Sequence, residues 1–126
     1  IDVTYQGSMV QVFPSNGRIT SISSRFSLSS DAPNNGTTLA VRAQLYASTD
    51  GSNTLQAVPG ATCIMTPNID GGAPAGTFRQ CAADNLEINV SKGTIATWAI
   101  LAYTAGGEQT ISGFATVGAT VAPPIP

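Results

Sequence analysis

The sequence contains no histidine. That removes the side chain that most often acts as a general base near neutral pH, and with it the commonest protein metal ligand. Charge is scarce as well. Five basic and seven acidic residues make up 10% of the chain and leave a net charge of −2, less than half the usual charged share for a globular domain. The basic residues, Arg18, Arg25, Arg42, Arg79 and Lys92, stand singly. This excludes the basic stripe that nucleic acid requires, and so small a net charge does not steer an ionic partner from a distance. No apolar run approaches the roughly eighteen residues of a membrane-spanning helix, so no membrane insertion is expected. No secretory leader is visible, and the chain opens on Ile1 rather than Met; the expectation is either removal of a leader or a place within a longer product. Internal repeats, linkers and low-complexity runs are lacking too. A length of 126 residues then suits one domain with a single core.

What remains is dominated by alternation. In Thr38–Ser48, TLAVRAQLYAS, the odd positions Leu39, Val41, Ala43, Leu45 and Ala47 are apolar. The even ones are Thr38, Arg42, Gln44, Tyr46 and Ser48, with Ala40 the neutral exception. Such a segment is a strand with one buried and one wetted face. Ile22, Phe26 and Leu28 alternate with Ser21, Ser23, Arg25 and Ser27 in the same way, and Leu86, Ile88 and Val90 with Glu87 and Asn89. Short strands are expected at 8–13, 55–58, 61–66 and 77–83, with Pro59-Gly60 as a break between two of them. Thr94–Tyr103, TIATWAILAY, is apolar on both faces and reads as a central strand covered on both sides. Thr110–Val121 alternates through Ile111, Gly113, Ala115 and Val117, and the tail at 122–126 carries Pro123, Pro124 and Pro126, which cannot continue a ladder. Turn signals separate these runs, including Asn16-Gly17 and Asn35-Gly36. The pattern specifies an all-β fold, a two-sheet antiparallel sandwich or jelly roll, with no helix.

A two-residue hairpin at Asn35-Gly36 sets Phe26 opposite Leu45 and Leu28 opposite Ala43. Two sheets joined by an arch would show the same parity. Folding the chain back around Gly72 sets Cys63 opposite Cys81, with Thr62 facing Ala82 and Ile64 facing Gln80. Directly opposed cysteines are within disulfide reach, so a Cys63–Cys81 bridge is expected; the alternative is two buried thiols.

Few residues offer chemistry. The loops Asp50-Gly51-Ser52-Asn53 and Asn68-Ile69-Asp70-Gly71 hold oxygen ligands beside glycine, but neither has the second carboxylate that a calcium site of six to eight oxygens demands. They read as Asx turns, and no metal or cofactor is expected. Asp84, Glu87 and Glu108 have no spacing that brings them together as a hydrolytic pair, and they read as surface groups. With no histidine and a single lysine, the many serines have little to activate them. The chain is therefore not read as an enzyme. Trp98, Tyr103, Tyr46 and Phe114 are candidates for a sugar-stacking platform, but Trp98 sits in the most apolar run and reads as core. Tyr46, on the polar face of its strand, is the exposed aromatic, and with Asp50 and Asn53 it forms a candidate glycan-contact surface. Asn35-Gly36-Thr37 and Asn89-Val90-Ser91 match the glycosylation triplet.

Two blocks carry a family resemblance. Asn16-Gly17-Arg18-Ile19-Thr20-Ser21-Ile22 precedes Val41-Arg42-Ala43-Gln44-Leu45-Tyr46-Ala47-Ser48-Thr49 and then Val58-Pro59-Gly60-Ala61. Ile88-Asn89-Val90 and Gly93-Thr94 follow, then an apolar strand and a closing glycine- and alanine-rich one. This order, over about residues 13–121, resembles the C-terminal domain of the exosporium glycoprotein family, the BclB-like collagen-associated proteins of spore-forming bacteria. The resemblance implies a jelly roll like that of tumour necrosis factor and complement C1q. It also implies trimers at the tips of spore-surface filaments, an extracellular location and no catalytic residues. The chain departs from that pattern in lacking a Gly-X-Y stalk and in having the cysteine pair. A fibre variant is therefore expected beside the trimer, in which residues 1–12, with Val3, Tyr5, Val10 and Val12, pair onto a neighbour's sheet edge.

Overall fold

The computed structural model describes residues 11–32, 36–48, 54–104, 107–109, 111 and 113–125, with residues 108 and 109 described by backbone alone. The fold is all-β, and no helix occurs among the described residues. In chain order the strands are β1 (Gln11–Val12), β2 (Gly17–Leu28), β3 (Thr38–Ser48), β4 (Gln56–Ile64) and β5 (Ile69–Asp70). They continue with β6 (Phe78–Ala83), β7 (Ile88–Val90), β8 (Ile95–Thr104), β9 (Gly107–Gln109) and β10 (Gly113–Ala122). They form two antiparallel sheets. The first runs β1-β8-β3-β4, with β5 on β3 and β9 on β8; the second runs β10-β2-β6, with β7 on β2.

The alternation in β3 does what its chemistry dictates. Leu39, Val41, Ala43 and Leu45 are buried, facing the second sheet. From β2 come Ile19, Ile22, Phe26 and Leu28. Two packed clusters result. One joins Phe26, Leu28, Leu39, Val41, Met65 and Ile69; the other joins Ile19, Ile22, Ala43, Leu45, Ala61, Cys63 and Ala96. Ile100 and Cys81 pack against both clusters, so the interior is continuous.

The structure corrects four expectations. The hairpin at Asn35-Gly36 does not form. Phe26 pairs with Ala115 and Arg79, and Leu45 pairs with Trp98, so β2 and β3 belong to opposite sheets and the connection arches between them. Residues 33–35 lie outside the described set, while Gly36 takes a left-handed φ of 85°. Parity survived because an arch preserves which side faces inward.

The cysteines are joined, with Cα atoms 5.8 Å apart, but not across a hairpin. Cys63 lies on β4 and Cys81 on β6, so the bridge crosses between sheets at one edge of the sandwich. The loop between them contributes β5, whose Ile69 is fully buried against β3. Ladder pairing between the two arms is confined to a bridge of Thr66 with Gln80.

Pro59-Gly60 does not divide two strands. The register on β3 slips between Gln44 and Tyr46, and the residues around Pro59-Gly60 bulge within a single β4. The side chain of Gln44 explains this: its Nε2 donates to the carbonyls of Val58 (2.9 Å) and Ala61 (3.2 Å), satisfying groups that the bulge removes from the ladder.

Finally, β8 is central, but its cover is partial on either side rather than complete. Inward, Ala96 and Ala102 are buried and Trp98 and Ile100 half-buried against the core; outward, Thr97 is buried and Ile95, Ala99, Leu101 and Tyr103 are half-buried.

Candidate interaction surfaces

With interior and ladders accounted for, the two outward sheet faces and the sheet edges carry whatever the chain presents. On the first sheet, β3 turns Ala40, Arg42, Gln44, Tyr46 and Ser48 outward, opposite Tyr103, Leu101, Ala99, Thr97 and Ile95 of β8. Ile64 stands beside Arg42 from β4 and is 62% exposed; Val12 stands beside Ile95 from β1 and is 59% exposed. Arg42 is the cation in the middle of this face, whose polar Gln44, Ser48 and Thr97 are buried among the larger side chains. Its guanidinium lies 5.0 Å from the centre of the Tyr103 ring and donates to the Tyr103 hydroxyl at 3.2 Å. Its Nε is buried with no hydrogen-bond partner, an arrangement that leaves a desolvated donor to be satisfied.

The second sheet's outward face is of another kind. β10, β2 and β6 align Phe114, Ser27 and Phe78 in one row, and Thr116, Arg25 and Gln80 in the next. Phe114 is 75% exposed and Phe78 47% exposed. The Arg25 guanidinium lies over the Phe78 ring, 4.3 Å from its centre. Arg18 donates to the Pro123 carbonyl, and Arg79 to the carbonyls of Pro67, Asn68 and Phe78. The donors of Arg25, by contrast, meet no acceptor among the described residues. Beside it runs a groove of about 610 Å³, bordered by Ser23, Gln80, Thr116 and Gly118. A stacked cation, two flanking rings and neutral hydroxyl and amide groups make a surface suited to a carboxylate-bearing sugar or peptide.

The residues singled out from the sequence fall as follows. Tyr46 lies on the outward face of the first sheet but is half-buried, wedged between Thr97 on β8 and Ala57 on β4, which leaves less of its ring available than its polar-phase position implied. Asp50 and Asn53 lie outside the described residues, as do Val3, Tyr5 and Val10. Val12 sits in β1, paired with Ile95 of its own chain. Asp84 and Glu87 are exposed, and no cluster of metal-ligating side chains occurs among the described residues. No helix among them is long and apolar enough to cross a membrane.

The Arg25 row escaped the sequence reading because its members are far apart in the chain and meet only through ladder register. A faint signal existed: Phe114 is an aromatic out of phase with the apolar positions of its own strand, flanked by Gly113 and Ala115.

No family model matches the chain, no curated protein matches it, and no solved structure matches its fold.

Proposed function

We propose that this chain is a structural, self-assembling sandwich protein of the bacterial spore surface, with the jelly-roll winding of the exosporium family it resembles, working as a trimer or a fibre of identical subunits. The observation that carries the reading is the outward face of the first sheet. Ile95, Leu101, Tyr46 and Tyr103 are half-buried there, Ile64 and Val12 are exposed, and the cation in their midst has a buried, unpartnered Nε. An apolar patch of this sort on a chain with few charges is what a homotypic contact uses. A disulfide between the sheets accords with an extracellular setting. Light scattering after size exclusion should give a mass several times 12.8 kDa, and negative-stain images should show discrete rings or fibres. A monomer persisting at millimolar concentration overturns the proposal.

A second reading, an adhesion module for glycans or a receptor, is favoured by the Arg25 row. Under it, Phe78→Ala with Phe114→Ala removes both rings and abolishes retention on acidic glycans while leaving the core untouched. An array with no signal from the unaltered chain disposes of this reading.

A further inference from the structure

The edge of β8 that faces away from β3 is filled at both ends, and between them no strand among the described residues pairs with it. β1 covers it at Ile95 and Ala96, and β9 covers it from Ala102 to Thr104. The Thr94 carbonyl accepts from the Phe13 amide on this side, and peptide groups along an antiparallel strand alternate in direction. The amides and carbonyls of Trp98 and Ile100 therefore point into the opening, where no described strand meets them.

The second sheet is uncovered at the same place. The ladder to β2 sets Ala115, Val117, Ala119 and Val121 opposite the inward residues Phe26, Ser24, Ile22 and Ile19. Those four should thus be interior. Only Val117 reaches the core, and Ala115, Ala119 and Val121 are exposed, Val121 at 48%. The two sheets run β4-β3-β8 and β6-β2-β10, tied at the first edge by the disulfide. One more strand alongside β8 would lie over this bare row.

We propose that residues 2–6 of a second copy supply that strand; the inference rests on the self-assembly reading and names its joint. Over residues 1–6, Ile1, Val3 and Tyr5 occupy odd positions and Asp2, Thr4 and Gln6 even ones, before Gly7 and the unalternating pair Met9-Val10; this is the pattern of a short strand with one face to bury. Register decides between the chain's own segment and a neighbour's. Continuing from Gln11 opposite Ala96, the chain's own segment would set Met9 opposite Trp98 and Gly7 opposite Ile100, and would bring Tyr5 onto Ala102, which already pairs with Gln109. Its three best apolar residues would never enter. A neighbour's segment is free of that register. It sets Tyr5 opposite Trp98 and Val3 opposite Ile100, forming an aromatic cross-strand pair above the β10 row, and Gly7 falls where the chain must turn away. Strand addition of this kind links each subunit to the next, because every copy has one segment to give and one opening to fill.

The test is a cross-link in the full chain. In this register Thr4 of the neighbour lies opposite Ala99 in a non-hydrogen-bonded pair, where opposed Cβ atoms are closest. Thr4→Cys with Ala99→Cys, mildly oxidised, should give a ladder of multimers on a non-reducing gel, whereas either substitution alone stops at dimers. An internal bridge in a monomer overturns the inference in favour of self-closure, and no bridge at all overturns it outright. As a second arm, Val3→Asp with Tyr5→Asp should raise the concentration needed for assembly more than about tenfold with the melting temperature unchanged. Assembly that persists in this variant refutes the joint but leaves self-association standing. A monomeric unaltered chain refutes self-association itself.

Discussion

Removing the bridge by Cys63→Ala with Cys81→Ala is expected to cost about 2–4 kcal/mol of stability and to lower the melting temperature by roughly 10 °C. The cysteines are 18 residues apart, and closing a loop of that length restricts the unfolded chain enough to account for the loss. The placement adds a second consequence. A bond across one hairpin would reinforce a ladder already hydrogen-bonded. This bond joins β4 of one sheet to β6 of the other, where little but side-chain contact holds the layers together. Cys63 is buried and lies 3.8 Å from the Ile22 carbonyl, so alanine is the replacement that adds no unsatisfied hydroxyl. Guanidinium unfolding of the oxidised chain, the reduced chain and the variant measures the effect. The reduced chain and the variant should coincide, both well below the oxidised chain.

Leu45→Ala should cost about 3 kcal/mol. Leu45 is fully buried in the middle of β3, opposite Trp98 on β8, in the cluster that includes Ile19 and Ile22 of β2. Truncation there loses the transfer free energy of the side chain and leaves a void between two layers held apart by their own backbones. Thr116→Ala, on the exposed outward row of the second sheet, should move stability by less than about 0.5 kcal/mol. Chemical denaturation of both variants checks the contrast. Equal losses at the two positions would mean that the inward and outward phases have been assigned wrongly.

That assignment of phase is what the amino-acid order displays best. The inward apolar residues of β3, and those of β2 from Ile22 to Leu28, can be read off by counting in twos, because each side chain's direction is a local property of the pleat; the buried Ile19 lies beyond a bulge that shifts the phase and was not legible that way. Partner choice is not local. Asn35-Gly36 favours a turn whichever strand comes next, and the twelve residues of β2 found partners on both sides, β10 on one and β6 with β7 on the other. The cysteine pair was legible through parity, but its route was not. Ile69 and Asp70 leave the intervening loop to pair with Leu39 and Thr38, which carries the second cysteine to the opposite sheet. Pro59-Gly60 looked like punctuation, yet the Gln44 amide holds the bulge carbonyls and the strand continues. Among surface groups, Tyr46 was placed on the correct side and still came out half-buried, because neighbours on β4 and β8 flank it. Arg25, Phe78 and Phe114 could not be grouped at all before the registers of β2, β6 and β10 were in hand.

The pairing of β2 with β10 has a consequence for how the molecule is made. Arg18 meets Ala122 in that ladder, and the Arg18 guanidinium reaches the Pro123 carbonyl 105 residues further along. The second sheet therefore stays incomplete until residues 113–122 have left the ribosome, and contacts so distant in sequence form slowly. During that interval β2 waits with one flank bare. That flank is a row of unpaired amides and carbonyls on which any foreign strand could pair, so the growing chain passes through a stage at which mispairing is easiest.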